Sequence, residues 1–311
     1  MKRSALSRRT LQIGAVLAVS ALALAGCSAP APDDGILRIV ASTNVYGSIA
    51  QAIAGDHAEI TSIIENPAQD PHSYEATARD RLAVSKADLV IANGGGYDPF
   101  VETLIAASQS ANRVVIDAVK ASGLEVDDNI VDRSVPFNEH VWYSVDGMRR
   151  LAAQIAQDLS LLDPQNAAAF GDNLMTLDKG LDALASRIAA IRAESDGTVV
   201  AATEPVPGYL LWDAGLYDYS SDFAEAIEEG RDVPPAALRE MLSSIESHRV
   251  KLLVVNEQTT APEIDQVVTA AKGAGVPVMT VTETIPAGRD YLAWMGETIS
   301  ALETALEAAP R

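Results

Sequence analysis

A single cysteine, Cys27, in 311 residues excludes any disulfide within the chain and leaves no set of thiolates to build a site for Cu(I). No CxxC or HExxH spacing marks a zinc site. Histidine is scarce too: there are four. Basic residues are outnumbered 23 to 43 by acidic ones, for a net charge of −20. Such a surface repels nucleic acid and anionic lipid and gathers cations, without forming a specific site for one. The run Gly94-Gly95-Gly96 lacks both the Lys-Ser/Thr of a Walker loop and the spacing of a dinucleotide motif, and reads as a tight strand-to-helix turn.

What is present begins with an export signal. Lys2, Arg3, Arg8 and Arg9 precede an apolar run over about 11–25 that is too short for a comfortable membrane span. Leu24-Ala25-Gly26-Cys27 has the form of a bacterial lipobox, which predicts cleavage before Cys27 and lipid on its thiol. Residues 1–26 are thus a signal peptide and 27–35, rich in Pro, Ala and Asp, a lipidated tether. Ser7-Arg8-Arg9-Thr10-Leu11 is compatible with twin-arginine export and equally with the ordinary Sec route. Without the four N-terminal cations, 19 basic residues face 43 acidic ones and the net charge reaches −24.

An apolar fraction of 48% and this length suit a globular protein of two domains. From Gly35 onward strand-like and helix-like patterns alternate, the mark of α/β lobes with largely parallel sheets. Strands are expected at 37–42, 58–64, 87–93, 114–117, 198–203, 251–256 and 276–281. Helices are expected at 45–54, 78–85, 99–108, 146–161, 235–247, 262–274 and 290–308, with a helix or turn over 207–216. Between the two sets, Leu174, Leu177, Leu181, Leu184, Ile188 and Ile191 step by three and four. They predict a helix from Asp163-Pro164 to about Ala193, roughly 45 Å long, that links the lobes. The division is 36–162, 163–195 and 196–311.

Asp70-Pro71-His72-Ser73-Tyr74-Glu75 sets a histidine behind an X-Pro turn, and Asn138-Glu139-His140 sets a second at a loop-to-helix boundary. Glu204 and Glu283 follow expected strands, where ligands of open α/β sheets collect. Two imidazoles and two carboxylates form a mixed N/O set suited to Zn2+ or Mn2+, with Fe2+ also compatible. His57 and His248 read as surface histidines. Trp142, Tyr143, Trp212 and Trp294 read as packing residues, Trp142 also walling off His140. Glu139 and Glu257 are the nearest alternative carboxylates.

These residues carry a resemblance. Pro71-His72-Ser73-Tyr74-Glu75, Ala87-Asp88-Leu89-Val90, His140-Val141-Trp142, Thr203-Glu204 with Gly208-Tyr209, and Thr282-Glu283-Thr284-Ile285 before Tyr291-Leu292 resemble the zinc/manganese-type solute-binding lipoproteins of bacterial ABC importers. The resemblance spans the mature chain. It implies two Rossmann-like lobes joined by one long helix, and a metal cleft between them with His72 and His140 from the first lobe and Glu204 and Glu283 from the second. The chain departs from the family pattern with Asn138-Glu139 for Asp-Pro, Pro205-Val206-Pro207 for an apolar aromatic segment, Glu283 for Asp, and an acidic loop over 125–133 in place of a histidine-rich one. A carboxylate where a third histidine would stand leans the site toward harder cations such as Mn2+.

The functional expectation is a monomeric, lipid-anchored receptor on the extracytoplasmic side that hands a divalent metal to an importer permease, without catalysis and without nucleic acid. Two other readings compete with it. A secreted zinc hydrolase would need an open coordination position and a base, for which Glu139 is the candidate. A receptor for a metal chelate such as a siderophore or haem would need a wide aromatic- or arginine-lined cleft, against which an aromatic content of 5% counts.

Overall fold

The computed structural model describes residues 35–309 except 67, 70, 109, 111 and 125–136. The expected signal peptide, Cys27, nearly all of the tether, Asp70 and the acidic loop lie outside the described residues.

Strands β1 (Leu37–Thr43), β2 (Ala58–Ile64), β3 (Leu89–Ala92) and β4 (Val114–Asp117) form one parallel sheet in the order β2-β1-β3-β4. β3 is fully buried, as the continuous apolar run of a covered parallel strand requires. Helices α1 (Asn44–Ala54), α2 (Ala78–Lys86), α3 (Pro99–Ala107) and α4 (Ala118–Ser122) follow the four strands. Their ends are written in the sequence. Thr77 and Asp80 close a capping box on α2, Pro99 opens α3, and Asp117 caps α4. All three glycines of the 94–96 run have positive φ, and a Cβ at Gly94 would lie 2.5 Å from Asp117 Oδ1. That confirms a tight turn between β3 and α3.

Helix α5 (Val145–Leu162), capped by Ser144, leads into α6 (Ala167–Ser195). The expected start at Asp163-Pro164 shifts to Ala167 because the Asp163 side chain accepts from Gln165 N and Asn166 Nδ2 and holds a turn there. At 29 residues α6 is about 44 Å long. Its Phe170, Leu177, Leu181, Leu184, Ile188 and Ile191 are buried along one stripe.

The second sheet repeats the first. Strands β5 (Val199–Ala202), β6 (Tyr217–Asp218), β7 (Leu253–Asn256) and β8 (Val278–Val281) are parallel in the order β6-β5-β7-β8. Around them lie α7 (Gly208–Asp213), α8 (Ser221–Glu228), α9 (Pro235–Glu246), α10 (Pro262–Ala274) and α11 (Tyr291–Ala308). β6 and α8 have no counterpart in the sequence expectation. Two residues of strand and eight of helix leave too short a pattern to register. Among the described residues no helix is long and apolar enough to cross a membrane.

Residues from Leu37 onward form one compact unit. One apolar core runs through both sheets: Ile39, Leu89 and Ile116 from the first, the stripe of α6, and Val200, Val254 and Met279 from the second. Trp142, Tyr143 and Trp294 sit in that core as expected, together with Tyr291, whereas Trp212, also expected to pack, is 74% exposed. His57 and His248 are exposed, as expected.

Candidate metal centre

In each sheet the chain order reverses beside the first strand, and connections leave the carboxyl ends of adjacent strands in opposite directions. This is where an open α/β sheet offers a crevice. His72 lies beyond β2 and Tyr97 beyond β3. Asn256 ends β7, while Glu204 and Glu283 follow β5 and β8.

His140 is fully buried, and its orientation follows from its neighbours. Asn138 Nδ2 donates to Pro205 O at 2.8 Å, which turns Asn138 Oδ1 toward His140. That oxygen accepts from the His140 backbone N–H at 3.0 Å and from its Nδ1–H at 2.7 Å. Nε2 is left facing the cleft with no hydrogen-bond partner. A histidine whose far nitrogen is tied to an amide or carboxylate is the usual arrangement of a metal ligand. Gly208 makes it possible here, since a Cβ there would come within 2.6 Å of Asn138 Nδ2.

His72 is partly exposed, its ring edge-on to Tyr97 at 5.1 Å between centroids. Its Nε2 lies 3.1 Å from Glu228 Oε1, and His140 Nε2 lies 3.4 Å from the same oxygen. Among the described residues, His72, His140 and Glu228 form the group of potential ligands whose atoms all fall within 4.8 Å of one another. Glu228 was absent from the sequence expectation. The available signal was weak: Phe223, Ala224 and Ile227 at helical spacing, introduced by Ser220-Ser221-Asp222 and stopped by Gly230.

Glu204 and Glu283 fall outside that tight group but share its cavity. A space of about 240 Å³ is lined by His72, Glu204, Glu228 and Glu283, with Gln258 and Thr259. Both glutamates are buried, at 3% and 8% exposure. The Asn256 side-chain amide donates to both, reaching Glu283 Oε1 at 2.8 Å. From the other lobe, Tyr97 donates to Glu283 Oε2 at 3.0 Å. Each oxygen of Glu283 is therefore held by a neutral donor. Of the alternative carboxylates, Glu139 stands 3.8 Å from His72 Nε2, and Glu257 is exposed.

The electrostatics of the pocket favour a cation. Burial pushes Glu204 up to about 7, with the charges of Glu228 and Glu283 adding to the effect and hydrogen bonds from Asn256 and Thr259 opposing it. Burial would also raise Glu228, but the close approach and positive charge of both histidines reverse this and hold it near 2. For His72 burial acts downward, and Glu228, Glu139 and Glu283 outweigh it to bring the ring to about 9. His140 is raised for the same reason. A divalent ion supplies what the protons on the two rings otherwise supply, a positive centre among these carboxylates. The walls contain no arginine, and the space is below the usual range for an organic ligand.

The family described as zinc-uptake complex component A, periplasmic, matches residues 39–305. The manganese-binding lipoprotein MntA of Halalkalibacterium halodurans is 31% identical over 162 residues, covering 51% of this chain and 52% of that protein. The manganese ABC transporter substrate-binding lipoprotein PsaA of Streptococcus pneumoniae is 32% identical over 180 residues, covering 54% and 57%. The chain thus spans about half the length of these curated relatives. The periplasmic zinc-binding protein TroA from Treponema pallidum superposes with a TM-score of 0.74 over 88% of this chain and 99% of that one, at 17% identity, a likeness of fold.

Proposed function

The chain belongs to the family of the zinc-uptake complex component A, periplasmic, and from that membership we propose that it is an extracytoplasmic solute-binding protein that captures Zn2+ or Mn2+, with Fe2+ compatible, and delivers it to an ABC-type importer. The observation that carries this reading is the approach of His72 Nε2 and the buried His140 Nε2 to Glu228 of the second lobe, beside a small cavity that His72 lines together with Glu204, Glu228 and Glu283. The names of MntA, PsaA and TroA, which are manganese- and zinc-binding proteins, support it.

In this reading His72 and His140 give imidazole nitrogen, and Glu204 and Glu283 give carboxylate oxygen. Residues 36–162 and 196–311 are the lobes that enclose the ion and 163–195 joins them. Residues 1–26 direct export, and Cys27 with the tether 27–35 anchors a monomer at the membrane beside its permease. The role is binding and delivery, with no catalytic step. A chelate receptor is disfavoured by the small, carboxylate-lined cavity, and no observation raises the hydrolase above the receptor.

The test is metal stoichiometry and affinity of residues 28–311, by calorimetry and by competition with a chromogenic chelator. One ion per chain is expected for the native sequence, with affinity falling by two or more orders of magnitude in His140→Ala, which removes a ligand outright. His72→Ala should behave alike. Unchanged binding in both variants would sink the assignment.

A further inference from the structure

We infer that Glu228 is itself a metal ligand, a fifth protein donor beside His72, His140, Glu204 and Glu283, and that it biases the site toward Mn2+ over Zn2+. The inference rests on the metal-binding reading above and adds a residue that the sequence pattern does not assign.

Distance is the first argument. Around an ion with bonds of about 2.1 Å, neighbouring ligand atoms stand about 3.0 Å apart at right angles and about 3.4 Å apart at the tetrahedral angle. Glu228 Oε1 lies 3.1 Å from His72 Nε2 and 3.4 Å from His140 Nε2. Both separations are those of ligands of one ion, and all three atoms lie within 4.8 Å of one another.

The buried nitrogen points the same way. Asn138 holds His140 through Nδ1, which leaves the buried Nε2 without a hydrogen bond and 3.4 Å from Glu228 Oε1. An imidazole nitrogen and a carboxylate set face to face in this way are brought together by a shared positive centre, and a divalent ion is one that can serve both rings at once.

Placement is the third. Glu228 is the last residue of α8 and precedes Glu229, so two acids sit at a helix C-terminus, where the helix dipole disfavours them. Helix stability does not explain the position, and a cation in the cleft does. Glu228 also differs from its neighbours in support. Asn256 and Tyr97 hold Glu204 and Glu283, whereas the polar contacts of the Glu228 carboxylate, among the described residues, are to the two imidazoles.

The count of donors gives the selectivity. Two imidazoles with two carboxylates complete the four-coordinate shell that zinc favours. A third carboxylate makes five oxygen-rich positions, which suit the six-coordinate habit of Mn2+ and offer zinc little more.

The experiment measures Mn2+ and Zn2+ affinity, and the visible spectrum of the Co2+-substituted protein, for the full chain and for Glu228→Gln, Glu228→Asp and Glu225→Gln. Glu225 lines the adjoining cavity of about 380 Å³ and controls for the loss of one nearby negative charge. Glu228→Gln should weaken Mn2+ by about tenfold or more, the usual scale for disturbing a metal's surroundings, with a clearly smaller effect on Zn2+. Its Co2+ absorption should intensify as the coordination number drops. Glu228→Asp, which keeps the charge and shortens the reach, should lose the Mn2+ preference as well, and Glu225→Gln should keep it. Equal losses for both metals, a matching loss in Glu225→Gln, or an unchanged Co2+ spectrum would overturn the role of Glu228. Failure of the native chain to bind either metal would overturn the metal-binding reading and this inference with it, and is distinguished by its appearance before any substitution.

Discussion

Tyr97 shows how much of the proposed site is held in place by residues outside the proposed ligand set. Its ring lies edge-on to both His72 and His140, and its hydroxyl fixes Glu283 across the lobes. Tyr97→Phe keeps the packing and removes one hydrogen bond to a buried charged group, so it should cost about 1.5–3 kcal/mol in denaturant unfolding and weaken metal binding. The His72–Glu228 pair gives a pH dependence whose sign can be worked out. His72 is raised from 6.5 to about 9, so its contribution is complete below pH 6.5 and is lost as pH rises through 9. Glu228 is lowered from 4.5 to about 2, so its contribution is complete above pH 4.5 and is lost as pH falls through 2. Thermal melts of chelator-treated protein should therefore gain most from this pair between pH 4.5 and 6.5, and Glu228→Gln should flatten the profile. With His72 as a ligand, as proposed, metal displaces the proton on its ring, so binding at pH 7 should release protons, measurable by calorimetry in buffers of different ionisation enthalpy.

At the scale of elements, the long helix and the short one contribute differently. α6 buries an apolar stripe against α5, α1 and α11 and is tied to α11 by Arg187, whose guanidinium donates to Glu303 and to Gly296 O. Leu181 is fully buried in that stripe, and Leu181→Ala should destabilise the fold by about 2–5 kcal/mol in a urea titration. Metal affinity should change little, because the side chain does not line the cavity. α8 is eight residues long, with its apolar face Phe223, Ala224 and Ile227 turned inward. Its significance lies in its end, which delivers Glu228.

For the whole molecule the question is how far the lobes move. Asn44 and Ile285 exchange two hydrogen bonds across the interface, Tyr143 donates to Thr282 O, Tyr291 donates to Trp142 O, and Tyr209 donates to Asn138 O. Wide hinge opening would break all of these and expose the shared apolar core. Small-angle scattering with and without metal should accordingly give nearly equal radii of gyration, with any change confined to the loops around Glu204, Glu228 and Glu283. A large expansion on metal removal would contradict this.

The sequence by itself determined the elements with long or well-capped patterns: seven of the eight strands among the described residues, the stripe of α6, the turn at Gly94-Gly95-Gly96 and the glycine stops. Hydrophobic periodicity and glycine or proline chemistry are local, so they survive in one dimension. It also supplied His72, His140, Glu204 and Glu283 as chemistry at strand ends and loop boundaries. Only the tertiary structure decided which carboxylates approach the imidazoles. Glu228 is 156 residues from His72 in the chain, on a helix too short to announce itself, and it reaches the cleft because two similar sheets pack through one core. The supporting residues are equally nonlocal: Tyr97 grips Glu283 from 186 positions away, and Asn138 orients His140 only because Pro205 of the other lobe holds its amide. Distances between strand ends are set by packing, and no spacing in the chain records them.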